Sequence, residues 1–503
     1  MAKYYLTTPI YYVNDKPHIG HLYTTVVADV IARYRRLRGD RVYFVTGTDE
    51  NSQKNVEAAQ KQGYADIQAY LDMQSANWKQ TWTDLGITFD DFIRTTEDRH
   101  KKGVEKFWNV VLAKGDIYEG EYEGLYCTGC EAFYKETDLV DGNCPIHKKP
   151  ATKLKEKNWF FKLKNYRAAL LEHIDAHPEF IRPASRRNEV RSYVDKFMED
   201  VSISRETVKW GIPVPNDPKS VIYVWFDALL NYMTAVGYGT NEETFKDWWP
   251  ADVHLVGKDI IKFHCALWPA MLMSAGLPLP KEVYAHGYFT IDGEKMSKSL
   301  GNVIDPKEVA AKYGIDPLRF YLLREIPFGE DGDFSLERLG QRYSGELGNA
   351  LGNLLHRVLS MTEKYQGGKV PAASGPSGIA HAWTAYEAAM ESFDFHGAIE
   401  QILGFARTLN GEIDTTKPWE VAKTDPVRLA GLLYSWLESL RHLAWMLKPL
   451  MPATSDKMLL QLGAAEAEMK RNWDDAKVWG GLAEGATIAK GEPLFPRLEE
   501  KKA

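Results

Sequence analysis

The sequence predicts an α/β domain on a Rossmann-type parallel sheet, interrupted by an insertion and followed by an all-α helical bundle. Three observations predict it. Strand, helix and strand succeed one another between Tyr4 and Thr46; that rhythm breaks between Asp116 and Ile222; and beyond Ala350 the apolar residues keep a helical period with no long strand among them.

The first strand is the β-rich run Tyr4–Thr8, closed by Pro9, with a turn at Asn14-Asp15-Lys16-Pro17. From His18 to Arg38 the period becomes helical through Leu22, Val26, Ile31 and Leu37. Arg33, Arg35, Arg36 and Arg38 gather at its C-terminal end, where they suit the helix dipole. Arg41–Thr46 reads as the second strand and completes a βαβ unit, which implies a parallel sheet. The α/β signals resume at Ile222–Phe226 and Val253–Val256. In the last third Leu429, Leu432, Leu433, Trp436, Leu440, Leu443 and Leu447 hold an i, i+3, i+4 stripe. A chain of 503 residues exceeds what one core organises. The expected boundaries are 1–115 and 223–290 for the halves of the α/β domain, 116–222 for the insertion, 291–350 for a loop-and-connector region and 351–503 for the bundle.

Composition excludes several classes. The apolar run Cys265–Met273 is half the length a membrane span needs, and Met1–Pro9 has neither a signal peptide's apolar centre nor a transit peptide's Arg/Ser bias. A cytoplasmic protein with no membrane contact is expected. A net charge of −7 argues against a general polyanion binder, so nucleic-acid contacts must be local. One candidate is Lys148–Arg167, with eight basic residues against Glu156; a solvated lysine-rich loop is its other reading.

Four cysteines do not make a disulfide scaffold. Cys127-Thr-Gly-Cys130 and Cys144-Pro-Ile-His147 have the spacing of a zinc knuckle, whose closed S₃N set holds one structural Zn²⁺ with no position left for substrate. A redox CxxC is the alternative, which Cys144 and His147 oppose. Cys265, in its apolar run, suits a packed core thiol.

Two further motifs carry chemistry. Pro17-His18-Ile19-Gly20-His21 stands at a strand-to-helix junction, where helix N-termini favour anions; His18 and His21 share a helical face, and Gly20 admits a flat group to the backbone. Half a zinc site, or two surface histidines, would use the same letters. Lys295-Met296-Ser297-Lys298-Ser299 sets two lysines and two hydroxyls in a loop, a clamp for polyphosphate or simply a solvated basic loop. No GxxxxGK[ST] occurs, so P-loop chemistry is excluded.

HIGH and KMSKS, in that order around an insertion and before a helical region, resemble the class I aminoacyl-tRNA synthetases across essentially the whole chain. Thr8–Asn14, Tyr223–Ala228, Gly257–His264 and Lys417–Lys423 are most similar to the methionyl branch of that family. The resemblance implies ATP-dependent activation of L-methionine and its transfer to initiator and elongator methionine tRNA, with Mg²⁺ on the ATP. It implies catalytic roles for His18, His21, Lys295 and Lys298, and ATP contacts from these together with Gly20, Asp259, Ser297 and Ser299. The methionine pocket it implies is Ile10, Tyr12, Asp49, Trp225, Ala228, Tyr232, Ile260 and His264; Asn353, Arg357 and Trp419 would read the anticodon. Without the resemblance the aromatic residues would pass for core and Asp49 for a turn aspartate. Some members of the family carry a further dimerising domain for which this chain has no room, so a monomer is expected. Other class I synthetases, a zinc-dependent RNA-binding module and a nucleotidyltransferase of the same fold are the rival readings.

Overall fold

Tyr5, Leu6, Thr7 and Thr8 are buried in a central strand, Lys3–Tyr12, longer than its β-rich letters suggested. Pro9 does not end it: the pairs with the neighbouring strand are Leu6–Val253 and Thr7–His254, so the residue that lacks an N–H lies beyond them. This computed structural model describes all residues except 1, 128–131, 135, 146–147, 292–293, 296–302, 376–377, 465 and 499–503; the side chains of 122–123, 132–133, 137, 154–156 and 294–295 also lie outside the description. The chain forms two compact units, Lys3–Pro17 with Val42–His286, and His18–Arg41 with Gly287–Ala503 and the first two residues.

The first unit is built on a six-stranded sheet in the order Asp91–Arg94, Arg41–Asp49, Lys3–Tyr12, Val253–Gly257, Val283–His286, Ile181–Arg182. The outer pairings and that of Lys3–Tyr12 with Val253–Gly257 are parallel. The chain lays its first strand in the middle, builds outward on one side, then returns to the other. The strand order therefore reverses beside Lys3–Tyr12, and a parallel α/β sheet binds ligands beyond the carboxyl ends of its strands at that reversal. Tyr5, Val45 and Ile93 of the sheet join Val104, Phe107 and Trp108 of helix Asp98–Lys114 and Trp268, Met271 and Leu272 of helix Trp268–Ala275 in one buried core. Removing such a tryptophan side chain costs about 3–5 kcal/mol.

Between residues 116 and 222 the chain makes two small antiparallel sheets. Strand Ile117–Cys127 pairs with Thr152–Phe161 from Ile117–Phe161 to Tyr126–Thr152. Half of the basic segment, Thr152–Phe161, is therefore strand rather than loop, with Lys153 and Lys157 exposed. Asp217–Ile222 lies between Pro213–Val214 and Ser204–Arg205. Ile181–Arg182, from the same stretch, pairs with Val283 and Tyr284 and extends the parallel sheet. The apolar letters 222–226 end one strand and open the short helix Val224–Ala228, because the Tyr223 carbonyl accepts from the N–H groups of Phe226 and Asp227.

The second unit is mainly helical, with a small sheet of Phe289–Ile291, Glu294–Lys295 and Gly332–Asp333. It contains Ile19–Leu37 and, beyond residue 305, the helices Pro306–Tyr313, Ile315–Arg324, Asn353–Gln366, Ile379–Glu391, Phe395–Thr416, Pro426–Leu447 and Pro452–Gln461, among others. Proline at the first turn of several of them occupies a position whose N–H has no helical partner. Leu429, Leu433, Trp436, Leu440, Leu443 and Leu447 are buried as the stripe predicts, and Leu432 is half-buried. The arginines of Ile19–Leu37 do more than complement a dipole. Arg33 pairs with Asp29 at 2.7 Å, and Arg35 and Arg38 both reach Glu391. Asp29 also holds the buried Arg319 at 2.7 Å. Among the described residues no helix is long and apolar enough to cross a membrane.

Candidate active site

At the reversal of the sheet, Tyr12 and Asp49 are the last residues of their strands, and Lys258–Ile260 is a single 3-10 turn following Gly257. Here the unit gathers four residues of the expected pocket in direct succession. His264 Nδ1 faces the Ile260 carbonyl at 2.9 Å, so that nitrogen carries the proton. Nε2 then accepts from the Tyr232 hydroxyl at 2.7 Å. Trp225 stacks on Phe263 with centroids 4.0 Å apart and meets His264 edge-on at 6.2 Å. Ile10, Trp225 and Ile260 are half-buried against the core, whereas Ala228, Tyr232 and His264 are buried. Asp49 is also buried; its carboxylate accepts from Asn51 N–H at 3.3 Å and its carbonyl from Asn55 Nδ2 at 2.9 Å. Tyr12 lies under Lys54 Nζ, 4.6 Å from the ring centre. Asp259 is exposed.

The wall is electrically neutral. Burial depresses the His264 pKa to about 4, although the Ile260 carbonyl and Asp259 pull the other way. Burial likewise raises the Tyr232 hydroxyl far above its ordinary value. Behind Tyr232, 4.3 Å from its ring, lies His254, fully buried between Thr7 Oγ1 at 2.8 Å and Trp268 Nε1 at 3.4 Å. Burial and then its neighbour His264 hold it well below the usual histidine value. Phe263, His254, Asn51, His100 and Asp227 were not singled out from sequence. The position of His254, in an apolar strand run, was the one available signal.

In the helical unit His18 caps helix Ile19–Leu37. Its Nδ1 accepts from Gly20 N–H at 3.1 Å, while its own N–H donates to His21 Nδ1 at 3.2 Å. The rings stack at 3.7 Å. Both Nδ1 atoms are acceptors, so in each neutral ring Nε2 bears the hydrogen. Burial, then the His18 ring, pushes the His21 pKa well down, which makes this residue a hydrogen-bond donor rather than a charge. Ile19 N–H donates to Ile304 O at 3.1 Å, joining this turn to the chain that follows the lysine motif. Lys295 ends a two-residue strand paired with Phe289–Ile291, its side chain outside the description; Ser297, Lys298 and Ser299 lie outside the described residues altogether.

Cys127 and Cys144 are buried, and Cys130 and His147 lie outside the described residues. Cys265 is fully buried in the sheet unit's core, where burial raises its thiol. Asn353 is exposed at the start of its helix; Arg357, a turn later, is half-buried and donates to Asp414 at 2.6 Å. Trp419 lies on a short helix. Lys417, at φ 49°, breaks the chain between two helices, and Pro418 opens Pro418–Thr424, leaving Trp419 48% exposed.

The reversal point of the parallel sheet, the histidine-capped helix and the helical unit fit a class I aminoacyl-tRNA synthetase, and the family match shows that class. The family described as "tRNA synthetases class I (M)" matches residues 4–153 and 135–359, and "Anticodon binding domain of methionyl tRNA ligase" matches 376–503. The methionine–tRNA ligase of Streptomyces coelicolor is 48% identical over 525 residues, covering 99% of this chain and 97% of that protein. That of Thermotoga maritima is 46% identical over 513 residues, covering 99% and 81%. The solved Mycobacterium tuberculosis methionyl-tRNA synthetase in complex with methionyl-adenylate superposes with a TM-score of 0.94 at 39% identity, covering 99% of this chain and all of the other. The chain belongs to the methionyl-tRNA synthetase family.

Proposed function

We propose that this chain ligates L-methionine to initiator and elongator methionine tRNA, with the pocket around Tyr232 and His264 selecting the amino acid. The observation that carries the reading is the neutral aromatic wall at the sheet's reversal point, with one carboxylate, Asp49, beside it. Trp225, Tyr12 and Tyr232 offer ring edges and faces to a polarisable thioether, contacts worth about 0.3–1.5 kcal/mol each. Ile10, Ala228, Ile260 and His264 complete the pocket, and Asp49 takes the substrate ammonium.

The methionine carboxylate attacks the α-phosphorus of ATP, pyrophosphate leaves, and the 3′-terminal adenosine of tRNA then takes the aminoacyl group with release of AMP. The carboxylate is already a nucleophile, so the protein's work is positioning and charge stabilisation. His18 and His21 present Nε2–H donors to phosphate oxygens, Gly20 lies against the adenine, and Asp259 binds the ribose. Lys295, Ser297, Lys298 and Ser299 grip the polyphosphate, whose charge Mg²⁺ spreads. Cys127, Cys130, Cys144 and His147 hold a structural Zn²⁺. In support, Cys127 and Cys144 are buried outside the sheet unit's core cluster. The Cys144 carbonyl also accepts from Lys148 N–H at 2.8 Å, and its own N–H donates to Lys149 O at 2.9 Å. Asn353, Arg357 and Trp419 read the anticodon, Trp419 by stacking on an unpaired base. The enzyme acts as a cytoplasmic monomer.

Amino-acid-dependent ATP–pyrophosphate exchange tests the reading. Methionine alone among the twenty amino acids should stimulate it, and stimulation by another would overturn the assignment. Trp419→Ala should slow tRNA charging by about tenfold or more, the loss of one base stack, while exchange continues at the native rate. Equal damage to both reactions would remove Trp419 from the anticodon site.

A further inference from the structure

A buried polar cluster beneath the methionine-facing residues has no part in the roles above. Asp227 stands between Trp225 and Ala228 on helix Val224–Ala228, with its side chain fully buried. One carboxylate oxygen is 2.6 Å from His100 Nε2, and the other accepts from Asn51 Nδ2 at 2.7 Å. His100 belongs to helix Asp98–Lys114, and its Nδ1 is 2.8 Å from Thr234 Oγ1, on the turn that carries Tyr232. Asn51 lies just past strand Arg41–Asp49. Its amide also donates to Thr95 O at 3.3 Å, and its backbone N–H reaches Asp49 Oδ1 at 3.3 Å. A single carboxylate is tied to three of the elements that bring groups to the amino acid: the Trp225 helix, the Tyr232 turn and the Asp49 strand end.

Hydrophobic packing alone would hold helix Val224–Ala228 on the sheet, since Val224, Phe226, Leu229 and Leu230 are all buried. A carboxylate taken out of water is costly unless both oxygens are used, and replacing such groups by apolar ones is often no loss of stability. Its value lies in direction. A hydrogen bond fixes separation and angle where packing of the same volume tolerates sliding, and small errors in the placing of a reactant are heavily penalised. An amino acid is gripped at two ends, the ammonium and the side chain, so the spacing of the two grips is what must be set.

We propose that Asp227, with Asn51 and His100, is the positioning group of amino-acid recognition: it sets the spacing between the Asp49 carboxylate and the aromatic wall of Trp225 and Tyr232. This rests on the reading of those residues as the methionine site. None of the three touches substrate; each acts through Asp49 or the wall.

The test is a charge exchange across the Asn51–Asp227 contact. Asn51→Asp sets two carboxylates face to face, and Asp227→Asn removes the shared acceptor. Carrying both substitutions reverses the donor and acceptor, and the amide oxygen now on the helix still accepts from His100. Asn51→Asp should raise the methionine KM in pyrophosphate exchange about thirtyfold and Asp227→Asn about tenfold, with the ATP KM within about twofold. The exchange variant should return to within about threefold of the native methionine KM. A double variant no better than the singles, or methionine and ATP KM rising together, would overturn the proposal, because a merely structural role moves both. Should a single variant fail to fold, Thr234→Val decides: it trims only the far partner of His100, and an unchanged methionine KM counts against the cluster. Asp49→Asn separates the two levels. If it too leaves the methionine KM unchanged, the methionine site itself is misassigned; if it raises that KM while the exchange series is flat, only the positioning role falls.

Discussion

In the sheet unit His264 and His254 lie buried against Tyr232, and in the helical unit Glu438 and Arg441 lie as deeply buried on helix Pro426–Leu447. The partners decide the opposite outcomes. His264 and His254 meet a phenol, a threonine hydroxyl and an indole N–H, and burial outweighs the pull of the Ile260 carbonyl and Asp259 on His264, driving both to the neutral form. Burial would push the Glu438 carboxyl up as well, but donors surround it. His442 and Arg441 hydrogen-bond to it, and N–H groups of Gly480, Gly481 and Leu482 reach its oxygens at 2.8–3.0 Å, so its pKa falls to about 2. Arg441 is spent in turn on Glu438, Glu468 at 2.7 Å and the carbonyls of Ala476 and Val478. The same burial leaves one site uncharged, fit for an apolar side chain, and makes the other an ionic clasp that anchors the segment at 476–482.

Breaking the clasp should give the largest effect. Glu438→Ala leaves the buried Arg441 guanidinium with Glu468 but without its other anion, and strips the acceptor from three backbone amides. A loss of about 3–5 kcal/mol in unfolding free energy is expected, read from urea denaturation. Pyrophosphate exchange by the folded fraction should persist. A loss below about 1 kcal/mol would mean that water replaces the carboxylate and that the clasp is not dry.

The same contrast marks what the sequence made legible. The βαβ start and the Leu429–Leu447 stripe are periodic features that local letters encode, and the fold follows them. HIGH is local too, and the cap in which His18 and His21 exchange backbone and ring hydrogen bonds lies entirely within its letters. The pocket's support is not local. Asp227 meets Asn51 and His100 across 176 and 127 residues, and Tyr232 meets His264 across 32. No window of sequence contains such pairs, and a buried aspartate in Trp-Phe-Asp-Ala has the letters of an exposed one. Nor did Glu438, within an apolar helical stripe, announce a carboxylate. Its partners at 480–482 come from a stretch whose glycines and turns gave no regular period.

The neutral site is tested next. His264→Phe keeps a ring at that position and removes the acceptor of the Tyr232 hydroxyl. A buried hydroxyl without a partner costs about 1–3 kcal/mol, part of which should appear as a rise of about tenfold in the methionine KM. His264→Gln can still accept from the phenol and should raise it less. If the two variants are equally damaged, the ring rather than the acceptor is what the wall needs.

The smallest effect separates the two sites by pH. His264 titrates near 4 in the fold against 6.5 when unfolded, so between those values the unfolded chain holds more protons. Its contribution to stability is whole above pH 6.5 and declines as the pH falls toward 4. Glu438 titrates near 2 against 4.5; its contribution is whole above pH 4.5 and is lost as the pH falls through 2. His264→Gln should therefore flatten unfolding free energy against pH in the upper window and Glu438→Gln in the lower one. Each variant removes at most about 1.4 kcal/mol per pH unit of slope, one proton's worth. His254 and His442, also depressed, retain some slope in the upper window for both variants. An upper window unaltered by His264→Gln would mean that this histidine takes up its proton in the folded pocket as readily as in the unfolded chain, and the wall would not be held neutral by burial.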